Sequence, residues 1–347
     1  MAFEGRRVLI TGAAGSVGAG LSLRLAAAKD IRLGLLDHFD HGLLRLADDI
    51  VEAAPTAKTE LMLCSVREAD AVARAMEAFA PDVVIHAAAL KHVHLGEAHP
   101  GESLLTNLVG VRNALAAAHA AGAGEFILIS TDKAASPHCV MGAAKRLAEL
   151  HLRGFLRETG ASMRLASVRF GNVLGSQGSV APLFADQIER GGPITLTHPK
   201  MQRFFLTMDE AVSLILRVAA AERPESDAPT YVMDMGEPIS ILRLAEEMMA
   251  RAGRNVPITI TGLRPGEKLN EQWFDAHETV KRSMIPGLFE ARPRSGRAAL
   301  STAEVADLEN AARTLAPDML RALVFACLEA RLAEAADGGR PNPVAAA

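Results

Sequence analysis

The stretch from Arg7 to Gly18 constrains this chain more than any other. Arg7-Val8-Leu9-Ile10 is a short apolar run that passes into Thr11-Gly12-Ala13-Ala14-Gly15-Ser16-Val17-Gly18, after which Ala, Leu and Arg continue at helical spacing. A strand, a glycine-rich turn and a helix are therefore expected in that order. Gly12 permits the tight turn, Gly15 lets a pyrophosphate approach the backbone, and Gly18 allows close packing of helix on strand, with the helix N-terminus facing the anion. Gly12, Ala14, Gly15, Ser16, Val17 and Gly18 are accordingly candidate dinucleotide contacts. A second apolar run, Leu33-Gly34-Leu35-Leu36, ends in Asp37. A carboxylate there accepts hydrogen bonds from the adenosine ribose and repels a 2′-phosphate, which points to NAD. His38 and Arg45 stand nearby and would accommodate a phosphate, so NADP stays open.

Further apolar runs follow at Glu60 to Leu63, Val83 to His86, Glu125 to Ser130 and Ser162 to Arg169, with amphipathic helical segments between them. Such alternation predicts an α/β fold built on a doubly wound parallel sheet. Ligands of these sheets bind beyond the carboxyl ends of the strands. Gly12, Asp37, Ser65, His86-Ala87-Ala88, Thr131-Asp132-Lys133 and Gly171-Asn172 fall there. At 347 residues the chain exceeds what one core supports. We expect a dinucleotide-binding domain over residues 1–172, with later returns to its sheet. Residues 173–335 then hold mainly a smaller interleaved α/β substrate lobe and C-terminal helices, and 336–347, rich in glycine, proline and alanine, form a mobile tail.

A formal net charge of −4 argues against nucleic-acid binding. Cys64, Cys139 and Cys327 show neither metal-ligand spacing nor a disulfide framework, and suit a reducing cytoplasm. No apolar stretch has the length of a membrane span and no signal-peptide core opens the chain, so a cytoplasmic protein is expected. Lys91-His92-Val93-His94 contains an HxH pair, but no third ligand has suitable spacing, and no metal is expected. Asp209-Glu210 reads as a capped helix start.

Several motifs in order carry a family resemblance: Gly12/Gly15/Gly18, HAAALKHVHLGEAHP at 86–100, STDKAASPHCVMGAAKR at 130–146, RFGNVLGSQGSV at 169–180, GGPITLTHPKMQRFF at 191–205 and TGLRPGEKL at 261–269. Over residues 5–275 the chain resembles the extended short-chain dehydrogenases of polysaccharide biosynthesis, and within them the CapD-like nucleotide-sugar 4,6-dehydratases acting on UDP-N-acetylglucosamine. It resembles the catalytic portion of the membrane-anchored members. The resemblance implies a Rossmann sheet, a UDP-sugar substrate and a homo-oligomer, with residues 101–121 and 140–159 as packing faces by analogy.

It also implies a chemistry. Oxidation at carbon 4 of the hexose acidifies the carbon-5 proton, water leaves across carbons 5 and 6, and hydride returns to carbon 6. Three proton-handling roles are needed. By motif, Thr131 would hydrogen-bond the 4-hydroxyl, Asp132 would protonate the departing 6-hydroxyl, and Lys133 would be the base at carbon 5. Asp132 must then be held protonated and Lys133 neutral, and burial under the sugar is expected to push both that way. Lys145 would hold the nicotinamide ribose and favour the alkoxide. Met141, one helical turn before Lys145, stands where short-chain dehydrogenases carry the tyrosine of a YxxxK pair, and a thioether cannot take the proton. A subset of the dehydratases shares this methionine.

Ser65, Val66, Ala87, Ala88, Ala89 and Asn107 complete the implied cofactor site. Lys91, His92, Asn172, Ser179, Val180, Pro182, Thr195, Arg203, Arg264 and Glu267 form the implied substrate site, the arginines for the diphosphate, Glu267 for a ribose and Thr195 for the uracil. Ala135, Ala144 and His94 depart from the pattern and leave substrate details open. Two rivals remain. A 4-epimerase would use carbon-4 oxidation without the elimination that Asp132 and Lys133 serve. A non-catalytic dinucleotide sensor would have no use for the retained LRPGEK segment.

Overall fold

The computed structural model describes residues 3–221, 228–294 and 298–333. The expected tail at 336–347 lies outside them. Among the described residues, the main sheet has nine strands: β1 (Arg7–Thr11), β2 (Arg32–Asp37), β3 (Lys58–Leu63), β4 (Val83–His86), β5 (Glu125–Ile129), β6 (Arg164–Arg169), β11 (Thr230–Met233), β14 (Glu278–Arg282) and β15 (Leu288–Pro293). Their order is β14-β15-β11-β6-β5-β4-β1-β2-β3. The seven strands from β11 to β3 are parallel, while β15 and β14 add on antiparallel. Each of the six runs read from the sequence is a strand. The chain departs from β1 in both directions, so a crevice opens at the carboxyl ends of β1 and β4.

Side chains alternate across these strands, yet both faces are covered, which is why the runs are apolar almost throughout. Val8, Ile10, Val83, Ile85 and Ile127 point to one face, where α1 (Ser16–Ala26), α2 (Asp40–Ala53) and α9 (Met208–Ala220) pack. Leu9, Val84, Phe126 and Leu128 point to the other. That layer holds α3 (Ala69–Phe79), α5 (Pro100–Leu104), a π-helical turn at Leu105–Val109, α6 (Gly110–Ala120) and α7 (Val140–Thr159). The α9 start is capped as expected, with Thr207 and Glu210 forming a reciprocal capping box.

A third layer covers α7. Helices α11 (Thr302–Thr314) and α12 (Pro317–Ala333) lie on it, and α12 presents Leu320, Val324, Leu328 and Leu332 at successive four-residue steps to the same core. Burial of each contributes about 1.5–3 kcal/mol. The connecting strap crosses α7 at Gly154, where an added Cβ would lie 2.0 Å from the Leu300 carbonyl. Residues 140–155 of α7 are therefore buried without a break. This corrects the expected association face at 140–159: it is filled by the chain's own C-terminal helices, and α6 is likewise largely buried.

Beside the main sheet, short strands pair in twos: β7 (Asn172–Val173) with β10 (Phe205–Leu206), β9 (Gln202–Arg203) with β12 (Ile239–Ser240), and β8 (Ile194–Leu196) with β13 (Ile258–Ile260). Phe184 and Ile188 of α8 (Val180–Glu189) and Ile241, Ala245 and Met249 of α10 (Ile241–Ala252) enclose a small separate core with β8. Helix α4 (Val93–Ala98) follows β4 in the chain and packs on α5 and α7. Among the described residues, no helix is long and apolar enough to cross a membrane.

Candidate active site

The first cleft, about 520 Å³, lies at the carboxyl ends of β1, β4 and β5. Its wall includes Gly12, Gly15, Ser16, Val17, Gly18, Ala87, Ala89, Thr131, Met141 and Lys145. Gly12 has φ of +68° and a Cβ there would meet Ala88 N at 2.5 Å; at Gly18 it would meet the Gly12 carbonyl at 2.1 Å. Both contacts are with backbone, so the turn admits no side chain at either position. Gly15 caps α1 without a side-chain hydrogen bond, and the first turn of the helix holds no carboxylate. The leading N–H groups of that helix lack intrahelical acceptors. The site thus fits the phosphates of a dinucleotide.

Asp37 is buried beside this turn. Its Oδ2 accepts from Ala14 N at 3.0 Å and its Oδ1 from His38 and Phe39 N at 2.7 and 3.1 Å. An ionised carboxylate retains further acceptor sites for ribose hydroxyls. Ala14, Asp37, His38, Ser65, Val66 and Ala88 are not part of the wall of this cleft. Asn107 has a different place from the one expected. It is fully buried on the π-helical turn, and its amide accepts from Leu90 N and donates to Leu90 O, each at 2.8 Å, clamping the 87–91 loop instead of facing the cleft.

The second cleft, about 340 Å³, runs into the small lobe and shares Lys91, His92, Lys133, Asn172, Gly178, Ser179 and Val180 with the first. Thr195, Arg203, Arg264 and Glu267 line it as expected. Pro182 does not; it is exposed on the outer side of α8, and Leu183 and Phe184 line the cleft in its stead. Arg203 is tied down: its guanidinium donates to the carbonyls of Gln202, Lys268 and Leu269 at 2.8–2.9 Å. Thr195 is gripped by the Gln187 amide through its hydroxyl and its N–H. Lys91 reaches Ser176 Oγ at 3.5 Å and the Gln177 carbonyl, and Gln177 N donates to Ser16 Oγ at 3.0 Å, so the 176–179 loop bridges the two clefts.

Where the clefts meet, Lys133 lines both. Thr131 caps a 3-10 turn, Asp132–Ala134, and its hydroxyl donates to Asp132 Oδ1 at 2.8 Å. Lys133 Nζ donates to the same oxygen at 2.9 Å and to Asn172 Oδ1 at 3.5 Å. Asp132 is buried behind Lys133, and its Oδ2 has no protein partner. Two opposing effects act on Lys133. Burial pulls its pKa down, but Asp132 and then Glu271 outweigh it and the net shift is upward. Glu271 lies 3.8 Å away and was missed in the sequence; its one signal was a charge two residues past the TGLRPGEKL motif.

Lys145 is buried and donates to the Ile129 carbonyl at 2.9 Å; burial lowers its pKa to about 8 against the opposing pull of Glu149. Met141 lines the cleft on the same face of α7. Behind them sits a buried cluster of two arginines and two glutamates. Arg169 makes paired contacts to Glu149 and to Glu278, and Arg146 joins the same two carboxylates at 3.0 and 2.6 Å. Burial would raise the Glu278 pKa, but Arg146 and Arg169 overcome this and hold it near 2. Ser130 Oγ donates to Glu149 at 2.6 Å, and Asp275, whose N–H donates to Glu278, accepts from Ser136 N and Oγ. Both ends of the 130–136 loop are thereby fastened to one charge cluster.

Residues 8–293 match the family model described as polysaccharide biosynthesis protein. The chain belongs to that family. Among its relatives, the "Probable polysaccharide biosynthesis protein EpsC" of Bacillus subtilis (strain 168) is 37% identical over 287 residues, covering 82% of this chain and 47% of EpsC. The "Capsular polysaccharide biosynthesis protein CapD" of Staphylococcus aureus is 36% identical, covering 83% of this chain and 48% of CapD. This family member thus spans about half the length of both. The "UDP-glucose 4-epimerase" of Rickettsia prowazekii (strain Madrid E) is 31% identical, covering 85% of each chain. In fold, the family member is similar to Pen from Bacillus thuringiensis, with a TM-score of 0.77, 28% identity and coverage of 94% and 100%. It is also similar to DesIV, a dTDP-glucose 4,6-dehydratase from Streptomyces venezuelae, with a TM-score of 0.68, 20% identity and coverage of 88% and 96%. Its architecture is that of these two solved structures.

Proposed function

We propose that this chain is a cytoplasmic nucleotide-sugar 4,6-dehydratase that takes UDP-N-acetylglucosamine to a UDP-4-keto-6-deoxy-hexosamine. The observation that carries the reading is the Lys133–Asp132 pair at the junction of the two clefts, 2.9 Å apart, with a second, unpartnered carboxylate oxygen. NAD, held by the glycine turn and Asp37, supplies a reversible hydride acceptor when bound. Lys145 lends positive charge to the 4-oxygen as its proton leaves, and Thr131 keeps that hydroxyl oriented. The proton lost from the 4-oxygen passes through the Thr131 hydroxyl to Asp132, which gives it to the 6-hydroxyl as water departs. Lys133 takes the carbon-5 proton and returns it to carbon 5 as the hydride goes back to carbon 6, so both side chains end each cycle as they began.

That cycle needs the neutral lysine, whereas the ligand-free site favours the ion pair. Displacement of water by the sugar removes solvent from the ammonium, which shifts the balance toward the neutral amine. The functional division falls near residue 172: the preceding part carries hydride and proton groups, and the lobe cleft carries Thr195, Arg203, Arg264 and Glu267 toward a UDP moiety. Met141 fills space where a tyrosine would reach the sugar.

Incubation of the protein with UDP-N-acetylglucosamine, followed by mass spectrometry, tests the reading. Loss of one water from the nucleotide sugar is the expected result. The second reading, a 4-epimerase, draws on the similarity to the Rickettsia protein. An isomer of unchanged mass as the sole product would select it.

A further inference from the structure

Two carboxylates line the lobe cleft. Glu267 turns back on its own loop, accepting from Arg264 N at 3.0 Å. Glu271 is different: its side chain is 5% exposed, and one oxygen, Oε1, stands 3.8 Å from Lys133 Nζ and 4.0 Å from Arg203 Nε. Neither distance is a hydrogen bond. The segment that carries Glu271 is fixed by other means. Arg203 holds the carbonyls of Lys268 and Leu269, Gln202 N donates to Leu269 O at 3.1 Å, and Lys268 Nζ donates to Ser136 O at 2.5 Å. Glu271 is therefore placed by its backbone and acts on its neighbours through charge.

We propose that Glu271 is a positioning residue that governs when Lys133 carries a proton. The inference rests on the dehydratase reading of Lys133. The groups facing that ammonium are Asp132 from its own turn, Glu271 from the loop after β13, Arg203 from β9, Cys139 from the start of α7, and the neutral Asn172 from β7. Asp132 is bonded to Lys133 and is itself a reactant, so its influence changes during the cycle. Glu271 exerts a constant one. Its carboxylate stabilises the ammonium, so the pH at which the base becomes available is set from the lobe side of the cleft. The base thus comes from one half of the chain and its tuning from the other. With both in place, the lysine remains cationic until the sugar fills the cleft.

The test measures Lys133 directly. The full chain is labelled with trace acetic anhydride across a pH series, and modification of the Lys133 peptide is quantified by mass spectrometry in wild type, Glu271→Gln and Glu271→Asp. The expected result is a titration midpoint lower by about one pH unit or more in Glu271→Gln, as for loss of a nearby opposite charge. Glu271→Asp, which keeps the charge, stays closer to wild type. An unchanged midpoint in Glu271→Gln overturns the proposal. An equal fall in both variants also overturns it, because packing and not charge would then be at work. In the dehydration assay, the acidic limb of the pH–rate profile moves down with the labelling midpoint in Glu271→Gln. If wild type dehydrates no UDP-hexose, the proposed function fails, while the labelling midpoints still decide the role of Glu271.

Discussion

Gly15 and Gly18 lie three residues apart in one turn, yet the structure assigns them opposite sensitivities to the same methyl group. At Gly18 a Cβ would sit 2.1 Å from the Gly12 carbonyl oxygen and 2.8 Å from Ala13 Cα, both immovable without shifting β1 against α1. Overpacking of this kind costs about 3 kcal/mol. In a chain of 347 residues, with an unfolding entropy of about 2.1 cal/mol/K per residue, that lowers Tm by roughly 4 °C. At Gly15 the nearest atom is the Gly12 oxygen at 3.2 Å, and the backbone, with φ −75° and ψ 162°, already suits alanine. The unfolded-state entropy favours alanine by about 0.4–1 kcal/mol, while alanine is a poorer helix cap by about the same amount. Stability of Gly15→Ala should therefore stay within about 1 kcal/mol of wild type. Its methyl, however, would project where a pyrophosphate must approach, and loss of about 1.4 kcal/mol or more means tenfold weaker binding. Thermal melts and NAD titrations of the two variants separate the effects. Wild-type NAD affinity in Gly15→Ala would refute the assignment of this cleft to a dinucleotide, and a melt as low as that of Gly18→Ala would refute the steric argument.

Other consequences are as direct. Asp132→Asn and Lys133→Ala should each reduce dehydration by roughly 100-fold or more with NAD binding intact; near-normal turnover in either reassigns its role. Asp37→Ala should erode the preference for NAD over NADP in competition titrations, and an unchanged ratio removes the carboxylate from cofactor choice. Met141→Ala should cost a few kcal/mol of stability at most and keep much activity, whereas Met141→Tyr should yield no gain. A tenfold faster Met141→Tyr would mean that the absent phenol limits the reaction. Lys145 has a folded pKa of about 8 against an unfolded value near 10.4. Between those values the unfolded chain binds more protons, so this residue makes stability rise with pH through that window. The stability difference between wild type and Lys145→Met should shift accordingly between pH 7 and pH 10 in denaturant titrations, and a flat difference would place the ammonium in water.

The parts legible in the sequence are those set by local pattern. The glycine turn, the six strands and the residues at their carboxyl ends follow from spacing alone, since a buried strand must be apolar on both faces and a ligand crevice must open where its direction reverses. What escaped depends on partners far along the chain. Asn107 is an ordinary asparagine until Leu90 is known to lie against it. Pro182 sits near cleft residues in number, but the helical rotation of α8 turns it outward. The protonation of Lys133 could not be judged without Glu271, 138 positions later, because burial and charge pull in opposite directions and only geometry says which prevails. The self-association face misled for the same reason: an apolar helix looks alike whether a second chain or its own C-terminus covers it.

The arginine–glutamate cluster has a bearing on how the protein is made. Arg146, Glu149 and Arg169 leave the ribosome well before Glu278, which follows Arg169 by 109 residues. At about 5–20 residues per second, that interval lasts roughly 5–20 s. Throughout it, two guanidinium groups face one carboxylate, and burying such an imbalance costs several kcal/mol. The layer between α7 and β6 must stay hydrated until β14 arrives. The glycine turn, complete within the first strands and helix, can form early, whereas the 130–136 loop acquires its final shape only when the far end of the chain docks. A fragment ending before Glu278 would keep the glycine turn and lack the anchor that, through Asp275 and Glu278, fastens the 130–136 loop.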